Sequence, residues 1–540
     1  MTDIEIPVGK RTPKYRFFEM LPAIMSYGSL LLPVVLSLIN PLYGAIFITA
    51  FVIWWFVKAI GMAYRTSQGY NRLERARHVN WRERLEDLEN PQIAIGRYES
   101  NSDTGGWRRD VHYKNLLDIK STPKNYLIPS KVLNAVIIPF VNESREVLEP
   151  TIKSVLASNY DCKNNLIIIL ADEARYPDGH KLGEAMVKEY ADKCLHMEAL
   201  SHPQGLPYEL IGKGGNITFA GRHLKKYTEK HGIKPENVIV TTLDSDNRPH
   251  PEYLASVTYE YIVEPKREHR SFQPIALFMN NIWDAPAPMR VLATGNSFWA
   301  IVNSVRPHLL RNFSSHSQGL KSLIKTDFWS VRTIVEDGHQ YWRSYFAYDG
   351  DYEVTPISIP IYQDAVLEST YLKTLKAQFT QLRRWAYGAS DVAYVADKGF
   401  RKDRTVPLPG LISRFWRLLE SHFSWASASI LITFGAWIPL FFGSESGRSI
   451  IAHELPQIAS QIQSVAIVGL FITMFLALKM LPKRPARYKR HRTLFMLAQW
   501  LLMPVTSIVY GSAAAFNSQT RLFLGKYLEK FDLTVKAVKK

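Results

Sequence analysis

VIVTTLDSD, the sequence of residues 238–246, is an apolar run of β-favouring residues that ends in two aspartates. A run of this kind, bounded by polar residues, predicts a buried strand. Two carboxylates this close repel each other unless a cation joins them, and Mg²⁺ or Mn²⁺ prefers carboxylate, water and phosphate oxygens. Asp244 and Asp246 are therefore candidate ligands for such an ion at the end of a strand, with a solvated turn as the alternative.

Similar apolar runs occupy residues 132–140 (VLNAVIIPF) and 165–171 (NLIIILA), and residues 273–282 form another candidate strand. Between the first two runs, residues 145–157 have apolar side chains at the spacing of an amphipathic helix. Apolar runs that alternate with helices predict an α/β domain with a mostly parallel sheet, covered on both faces. Ligands of such sheets bind beyond the carboxyl ends of the strands.

Two acidic residues stand at those predicted strand ends. Glu143 follows the first run and Asp172 follows the second. A carboxylate can accept a hydrogen bond from a base N–H or a ribose hydroxyl, so Asp172 is a candidate nucleotide contact. A strand-ending carboxylate that caps a turn is the alternative.

A glycine-rich segment, GKGGN at residues 212–216, opens a predicted helix and contains Lys213. The spacing of a phosphate-binding Walker A loop is absent. Glycines beside a lysine at a helix start can still approach a phosphate. Lys213 is therefore a candidate diphosphate contact, and an ordinary helix start is the alternative.

An acidic pair, Glu336 and Asp337, lies about ninety residues beyond the first motif. A carboxylate near an acceptor hydroxyl can act as a general base. Asp337 is the candidate for that role, and an exposed acidic pair is the alternative.

The helical pattern at residues 368–387 contains Gln381, Arg384 and Trp385 at spacings that place them on one face. Tryptophan offers a flat apolar plate on which a sugar ring can stack, and arginine offers a fork for phosphate oxygens. We therefore predict a catalytic face here, although an amphipathic helix at the membrane surface would show the same pattern.

The order and spacing of these motifs resemble the family 2 glycosyltransferases, and in particular the membrane-integrated branch of cellulose, chitin and hyaluronan synthases. The resemblance covers about residues 130–390 and the flanking apolar runs, and it implies an α/β GT-A fold. It also implies transfer from a nucleotide sugar, with UDP as the nucleotide. The implied roles are nucleotide-sugar binding for Glu143, Asp172, Lys213 and Asp244, binding of Mg²⁺ or Mn²⁺ for Asp244 and Asp246, a general base at Asp337, and catalytic positions at Gln381, Arg384 and Trp385.

The tail sequence FDLTVK, residues 531–536, resembles the gating loop of cellulose synthases, which implies that Thr534 and Lys536 lie near the nucleotide. Val335 stands where that family has threonine, which leaves Asp337 intact. The expected activity is an inverting transfer to a growing glycan. A single addition to a lipid acceptor, as in ceramide glucosyltransferases, is the alternative, and a non-catalytic membrane transporter or scaffold is a remote one.

Long runs without formal charge indicate membrane segments: residues 20–57, 421–444, 455–478 and 493–520. The first is about twice the length that one span needs. Asn40-Pro41 interrupts it, which predicts two helices near 20–39 and 42–60 joined by a tight turn. Residues 493–520 are too few for two spans, and Pro504 interrupts them, so we predict a segment that enters and returns.

Basic residues concentrate in the N-terminus, in residues 65–84 and in the loop 483–492, which predicts that these lie in the cytoplasm, while loop 444–454 lies outside. The catalytic domain should then face the cytoplasm, at the plasma membrane. The predicted organisation is a cytoplasmic N-terminus (1–19), a transmembrane hairpin (20–63), a basic linker (64–129), the GT-A domain (130–400), an interfacial helix (401–421), a C-terminal membrane region (422–520) and a basic tail (521–540).

The net charge of +17 accompanies the apolar runs, so we attribute it to membrane-flanking anchors and expect membrane lipids, not nucleic acid, as partners. The expected small partners are a UDP-sugar donor and a glycan or lipid acceptor. Two cysteines, Cys162 and Cys194, exclude a disulfide framework and a thiolate metal cluster.

Overall fold

The computed structural model of the chain describes residues 4–100, 106–442 and 450–528. Thr534 and Lys536, with the rest of the gating-loop-like segment, lie outside the described residues, so their predicted position beside the nucleotide stays a prediction.

One mixed sheet forms the centre of the α/β domain. Its strands are β1 (Leu133–Pro139), β2 (Leu166–Glu173), β3 (His196–His202), β4 (Val238–Thr242), β5 (Arg248–Pro249), β6 (Arg270–Leu277), β7 (Ser317–Gly319) and β8 (Glu353–Tyr362). They are arranged in the order β3-β2-β1-β4-β7-β6-β8-β5. The pairs β3/β2, β2/β1, β1/β4 and β6/β8 are parallel, and the other three are antiparallel. The mostly parallel sheet that we predicted is therefore present.

Every residue of β1, β2 and β4 is buried, which is why these strands appear as continuous apolar runs in the sequence. In the register of the three strands, Ile137 of β1 lies opposite Ile169 of β2 and Thr242 of β4. The residues that follow these strands consequently meet at one edge of the sheet.

The helices surround this sheet and extend from it. They are α1 (Pro13–Ile39), α2 (Pro41–Ala76), α3 (Trp81–Glu89), α4 (Pro91–Glu99), α5 (Arg109–Ser121), α6 (Arg145–Leu156), α7 (Cys162–Asn165), α8 (Pro177–Tyr190), α9 (Lys213–Lys230), α10 (Tyr253–Val263), α11 (Ala287–Ser304), α12 (Leu320–Lys325), α13 (Glu336–Ala347), α14 (Tyr371–Ala386), α15 (Asp391–Gly399), α16 (Leu408–Phe434), α17 (Ile438–Phe442), α18 (Ile450–Met480), α19 (His491–Ala498), α20 (Met503–Thr506) and α21 (Ala513–Phe523).

Some strands differ from the sequence-based prediction or were missed by it. The segment predicted at 273–282 is β6, which begins and ends earlier. β8 was not predicted, because Pro356 and Pro360 interrupt its apolar pattern, and it pairs with β6 through an irregular register. β3 was also missed, because this outer strand is only partly buried and its sequence, HMEALSH, has no apolar run.

Within the part of the chain that the structure describes, four helical segments are long and apolar enough to cross a membrane: Pro13–Ile39, Pro41–Ala76, Leu408–Phe442 and His491–Phe523. The predicted break between the first two is confirmed. The side chain of Asn40 accepts a hydrogen bond from the backbone N–H of Leu42 at 2.9 Å, and Pro41 occupies the first turn of α2.

The interfacial helix expected at 401–421 is not separate, because Leu408–Phe434 forms one continuous helix. The segment 491–523 is helical throughout, and its predicted entry into the membrane and return stays a prediction. A 3₁₀ turn at Gln499–Leu502 and a π-helical turn at Ser507–Ser512 bend it on either side of Pro504.

The bent segment lies along the α/β domain. At its start, Arg492 donates to the carbonyl of Trp283 at 3.2 Å. Near its end, Ser518 donates to the carbonyl of Arg383, and Arg16 of α1 donates to the carbonyl of Phe523 at 3.0 Å. Both ends of the segment therefore contact the domain side of the helices.

Candidate active site

Lys213 is the centre of a cluster of carboxylates at the carboxyl edge of the sheet. Its Nζ lies 2.9 Å from Asp244 Oδ1, 2.9 Å from Asp337 Oδ2 and 3.7 Å from Glu336 Oε1. The side chain of Lys213 is only 9% exposed. The structure thus brings together three residues that the sequence analysis proposed from separate motifs.

The charges of this cluster depend on one another. Burial by itself favours the neutral amine of Lys213, but Asp244, Asp337 and Glu336 together raise the pKa of Lys213 above its ordinary value. The lysine is therefore an ammonium at neutral pH. Burial, with the charge of Asp337, raises the pKa of Glu336 to about 8.

The glycine-rich start of α9 places Lys213. Gly214 packs against the carbonyl oxygen of Ser330 so closely that a Cβ would not fit. The Nδ2 of Asn216 donates to the carbonyl of Ala171 at 2.8 Å and so fixes α9 to the end of β2. The N-terminus of an 18-residue helix consequently faces the carboxylate cluster, and helix N-termini favour bound anions.

Asp244 and Asp246 form a turn after β4, in which the N–H of Asn247 bonds the carbonyl of Asp244 at 2.9 Å. Ser314 donates to Asp244 Oδ2 at 2.6 Å, and the backbone N–H of Asp364 donates to Asp246 Oδ2 at 3.3 Å. The side chains of this turn are therefore held in place by two other segments of the domain.

The chemistry of the turn fits Mg²⁺ or Mn²⁺, because Asp244 and Asp246 offer carboxylate oxygens, the ligands that these ions prefer. Over residues 4–100, 106–442 and 450–528, no group of three or more His, Cys, Asp or Glu side chains is arranged to hold a metal. An ion at this turn would therefore take its other ligands from water or a bound phosphate.

Glu143 and Asp172, the two predicted nucleotide contacts on the neighbouring strands, occupy different environments. Glu143 lines the cavity described below and accepts from Ser245 Oγ at 2.8 Å and from the backbone N–H of Val141 at 2.6 Å. Asp172 is fully buried, where His180 Nδ1 lies 2.7 Å away and Ser201 Oγ donates at 2.6 Å. Its contact with a nucleotide stays a prediction.

Gln381, Arg384 and Trp385 lie on α14, half-buried, and all three line the same cavity. Arg384 is near enough to Glu336 to lower the pKa of that buried acid, against the stronger effect of burial, which raises it. Trp385 contacts Phe278, with ring centroids 6.1 Å apart. The helix therefore presents its predicted face to the carboxylate cluster.

The cavity has a volume of about 1800 Å³. It begins at the carboxyl edge of the sheet and continues between α2, α11, α14 and α16 to the bent segment 491–523. Apolar side chains dominate its inner part, including four tryptophans: Trp299, Trp385, Trp425 and Trp500. A space of this size accommodates a nucleotide sugar together with a second, elongated molecule.

The sequence analysis missed His316, which is fully buried beside the cluster with Nδ1 3.8 Å from Asp337 Oδ1. The indole N–H of Trp329 donates to its Nε2 at 3.2 Å, and its Nδ1 faces the carbonyl of Phe313 at 2.9 Å. Burial lowers the pKa of His316, so a neutral imidazole with its proton on Nδ1 satisfies both contacts. No pattern in the sequence distinguished this residue.

Comparison with solved structures gives matches to glycosyltransferases. The mannosyltransferase PcManGT from Pyrobaculum calidifontis, solved with GDP-Man and Mn²⁺, matches with a TM-score of 0.35 and 14% identity, over 78% of this chain and 99% of that chain. GalNAc-T7, solved with UDP, GalNAc and Mn²⁺, matches with a TM-score of 0.32 and 11% identity, over 54% of this chain and 58% of that chain. No protein-family model and no curated protein matches the sequence. Likenesses this distant assign no function, which has to come from the chemistry of the site.

Proposed function

We propose that the protein is an inverting glycosyltransferase that transfers a sugar from a UDP-sugar to a growing glycan at the cytoplasmic face of the membrane. The observation that carries the proposal is the convergence of Lys213, Asp244 and Asp337 at the mouth of a cavity that continues between apolar helices. A buried cation suits a leaving diphosphate, and a nearby carboxylate suits the deprotonation of a hydroxyl group.

The donor end of the site stabilises the leaving group. Lys213 and the N-terminus of α9 face the position of the diphosphate, and Arg384, which lines the same cavity, adds a second cation. Asp244 and Asp246 would hold Mg²⁺ or Mn²⁺, which when bound neutralises phosphate charge. UDP as the nucleotide rests on the family resemblance alone.

Asp337 acts as the base. Its Oδ2 contacts Lys213, while its buried Oδ1 has no hydrogen-bond partner within the described ranges. Asp337 takes the proton of an acceptor hydroxyl as that oxygen forms a bond to the anomeric carbon. The bond between this carbon and the diphosphate breaks on the opposite side, so the diphosphate leaves with the electron pair and the configuration is inverted.

The acceptor occupies the aromatic part of the cavity. Trp385 belongs to the same helix as Arg384 and lines the cavity together with two further tryptophans, Trp425 and Trp500. Flat aromatic side chains in series suit successive sugar rings. We therefore assign Trp385 to stacking of the terminal acceptor sugar.

Replacing Trp385 with alanine should raise the KM for acceptor by about tenfold, since an aromatic contact and its buried area are lost. Hydrolysis of the donor without acceptor should change little. Trp385→Phe should restore most acceptor use, and Trp437→Ala, at an exposed tryptophan, is the matched control. Equal loss of transfer and hydrolysis in Trp385→Ala would assign the residue a structural role.

A single addition to a lipid acceptor is the second candidate function. It is favoured by the side of the cavity that α2 forms, where Phe56, Ile60 and Ala63 present apolar side chains suited to an alkyl chain. The two functions differ in product length. Purified protein incubated with each UDP-sugar and Mg²⁺ or Mn²⁺ should yield a ladder of chain lengths if it extends a glycan, and one product soluble in organic solvent if it modifies a lipid.

We further propose that α1, α2, α16 and α18 cross the membrane, while residues 491–523 run along the domain without crossing. Four crossings leave both ends of the chain in the cytoplasm. The contacts of Arg16 support this assignment, because it donates to the hydroxyl of Tyr527 at 3.1 Å and so joins the N-terminal region to the end of the described chain. The basic tail then agrees with the positive-inside rule.

Labelling of introduced cysteines tests this assignment of the membrane crossings. In intact cells, a membrane-impermeant thiol reagent should label neither Lys483→Cys nor Lys526→Cys, because both positions are cytoplasmic. The native cysteines, Cys162 and Cys194, are buried. Ser446→Cys, in the loop predicted to lie outside, should be labelled and serves as the positive control. Labelling of Lys526→Cys in intact cells would place a fifth crossing in segment 491–523.

A further inference from the structure

Basic side chains from three elements meet at one edge of the cavity. Arg65 belongs to α2, Arg306 and His308 follow the end of α11, and Arg417 belongs to α16. We call these four residues the basic cluster. Burial lowers the pKa of Arg306, and the charges of Arg65 and Arg417 lower it further, which reflects their proximity.

Direct contacts hold the three elements together at this point. Gly69 of α2 packs against Ile301 of α11 with no room for a Cβ. On the other side, Lys58 Nζ lies 2.7 Å from Glu420 Oε1, which joins α2 to α16. The cluster is therefore built on packed helices and not on a loop.

The cluster carries an excess of positive charge. Arg65, Arg306 and Arg417 form no ion pair with any residue of the described ranges. The nearby carboxylate, Glu420, already pairs with Lys58. The three arginines and the neighbouring Lys58 are positively charged, and Glu420 is the negatively charged residue beside them. The local net charge is therefore +3 without His308. Guanidinium groups prefer bidentate contacts with phosphate or carboxylate oxygens.

The position of the cluster indicates where its anion comes from. Lys58 lies over the rings of Trp54 and Trp55, at 5.1 and 4.7 Å, and such pairs of aromatic and basic residues mark the headgroup level of a bilayer. Exposed apolar side chains of α2, Val57 and Ile60, adjoin it. A phosphate bound here would lie beside an apolar surface.

The cluster also borders the catalytic cavity. Tyr64 and Ser67 flank Arg65, Ser304 precedes Arg306, and Ser421 lies one turn beyond Arg417; all four line the cavity. A molecule bound at the cluster would therefore lie beside the cavity, where α2, α11 and α16 meet.

We propose that the basic cluster binds the phosphate group of an anionic membrane lipid, whose acyl chains lie along the apolar face of α2 formed by Val57 and Ile60. The arginines supply the phosphate contacts, and the apolar face gives the site its preference for a lipid over a free anion. Binding at the cluster does not require the proposed transfer reaction.

The test uses the full chain, purified in a neutral detergent and depleted of lipid, and measures binding of dioctanoyl phosphatidylglycerol, dioctanoyl phosphatidylcholine and inorganic phosphate by thermophoresis. Phosphatidylglycerol should bind saturably, and the other two at least about tenfold more weakly. Arg306→Gln/Arg417→Gln should weaken phosphatidylglycerol binding about thirtyfold, because two basic contacts are lost. Lys483→Gln/Arg484→Gln, which removes the same charge from the exposed basic loop, should bind normally.

Unchanged affinity in Arg306→Gln/Arg417→Gln, or an equal loss in the loop control, would overturn the proposal. Inorganic phosphate binding as tightly as phosphatidylglycerol would also overturn it, since the site would then select an anion without lipid. If the double variant does not fold, Arg65→Gln replaces it, with an expected loss of about fivefold. Loss of transfer activity alone, with lipid binding intact, would concern only the proposed reaction.

Discussion

Asp337→Asn is expected to reduce sugar transfer by about 10²- to 10⁴-fold, the range typical for loss of a general base. Asparagine has nearly the same shape but accepts no proton, so the acceptor hydroxyl keeps its proton as it approaches the anomeric carbon. Nucleotide binding should be nearly unchanged, because Asp244 and the α9 terminus remain in place around Lys213. Single-turnover kinetics with the donor, together with calorimetry of UDP binding, measures both quantities.

Asp327→Asn is the matched control for this variant. Asp327 is exposed, pairs with Arg222 at 2.8 Å and has a left-handed backbone conformation that asparagine also adopts readily. Its activity should equal that of the unmodified protein. Turnover near the unmodified value in Asp337→Asn would remove this residue from the role of base.

Asp246→Ala should weaken binding of UDP in the presence of Mn²⁺ by about 10- to 100-fold, because a charge-assisted contact worth about 1.5–3 kcal/mol is lost. Asp246 is 7% exposed and anchored by the backbone N–H of Asp364, so its carboxylate is already positioned at the turn after β4. Calorimetry with UDP, repeated with Mn²⁺ and with a chelator, separates the metal-dependent part. In the variant, the chelator should have little further effect.

Asp192→Ala provides the comparison, since Asp192 is exposed and precedes the start of β3, at the edge of the sheet opposite the carboxylate cluster. It should bind UDP and Mn²⁺ normally. If Asp246→Ala also binds UDP and Mn²⁺ with unchanged affinity, the Asp-Ser-Asp sequence is only a turn.

The parts of the sheet that could be predicted are those with a simple physical signature. β1, β2 and β4 are buried on both faces, so their residues are uniformly apolar, and the carboxylates that follow them are conspicuous. β3 and β8 lack that signature, because one is half-exposed and the other contains two prolines. The spacing of apolar residues in the sequence does not reveal strands of this kind.

The residues of the candidate site also divide into those that the sequence reveals and those that it does not. Lys213, Asp244 and Asp337 could be proposed because each stands in a short motif at a strand or helix end. Their meeting around one ammonium could not be predicted, since it depends on how α9 and α13 pack. His316 could not be found at all, because its burial follows from tertiary packing beside the short strand β7.

The contacts of Arg16 have a consequence for how the chain is assembled during synthesis. This residue of the first helix bonds the carbonyls of Leu522 and Phe523 and the hydroxyl of Tyr527, across sequence separations of 506, 507 and 511 residues. α1 is therefore synthesised well before these partners, which follow α18 in the chain. Contacts so distant in sequence form late in folding. These contacts therefore form only after residues 522–527 have been synthesised, and a chain truncated after α18 should expose α1 to quality-control proteolysis.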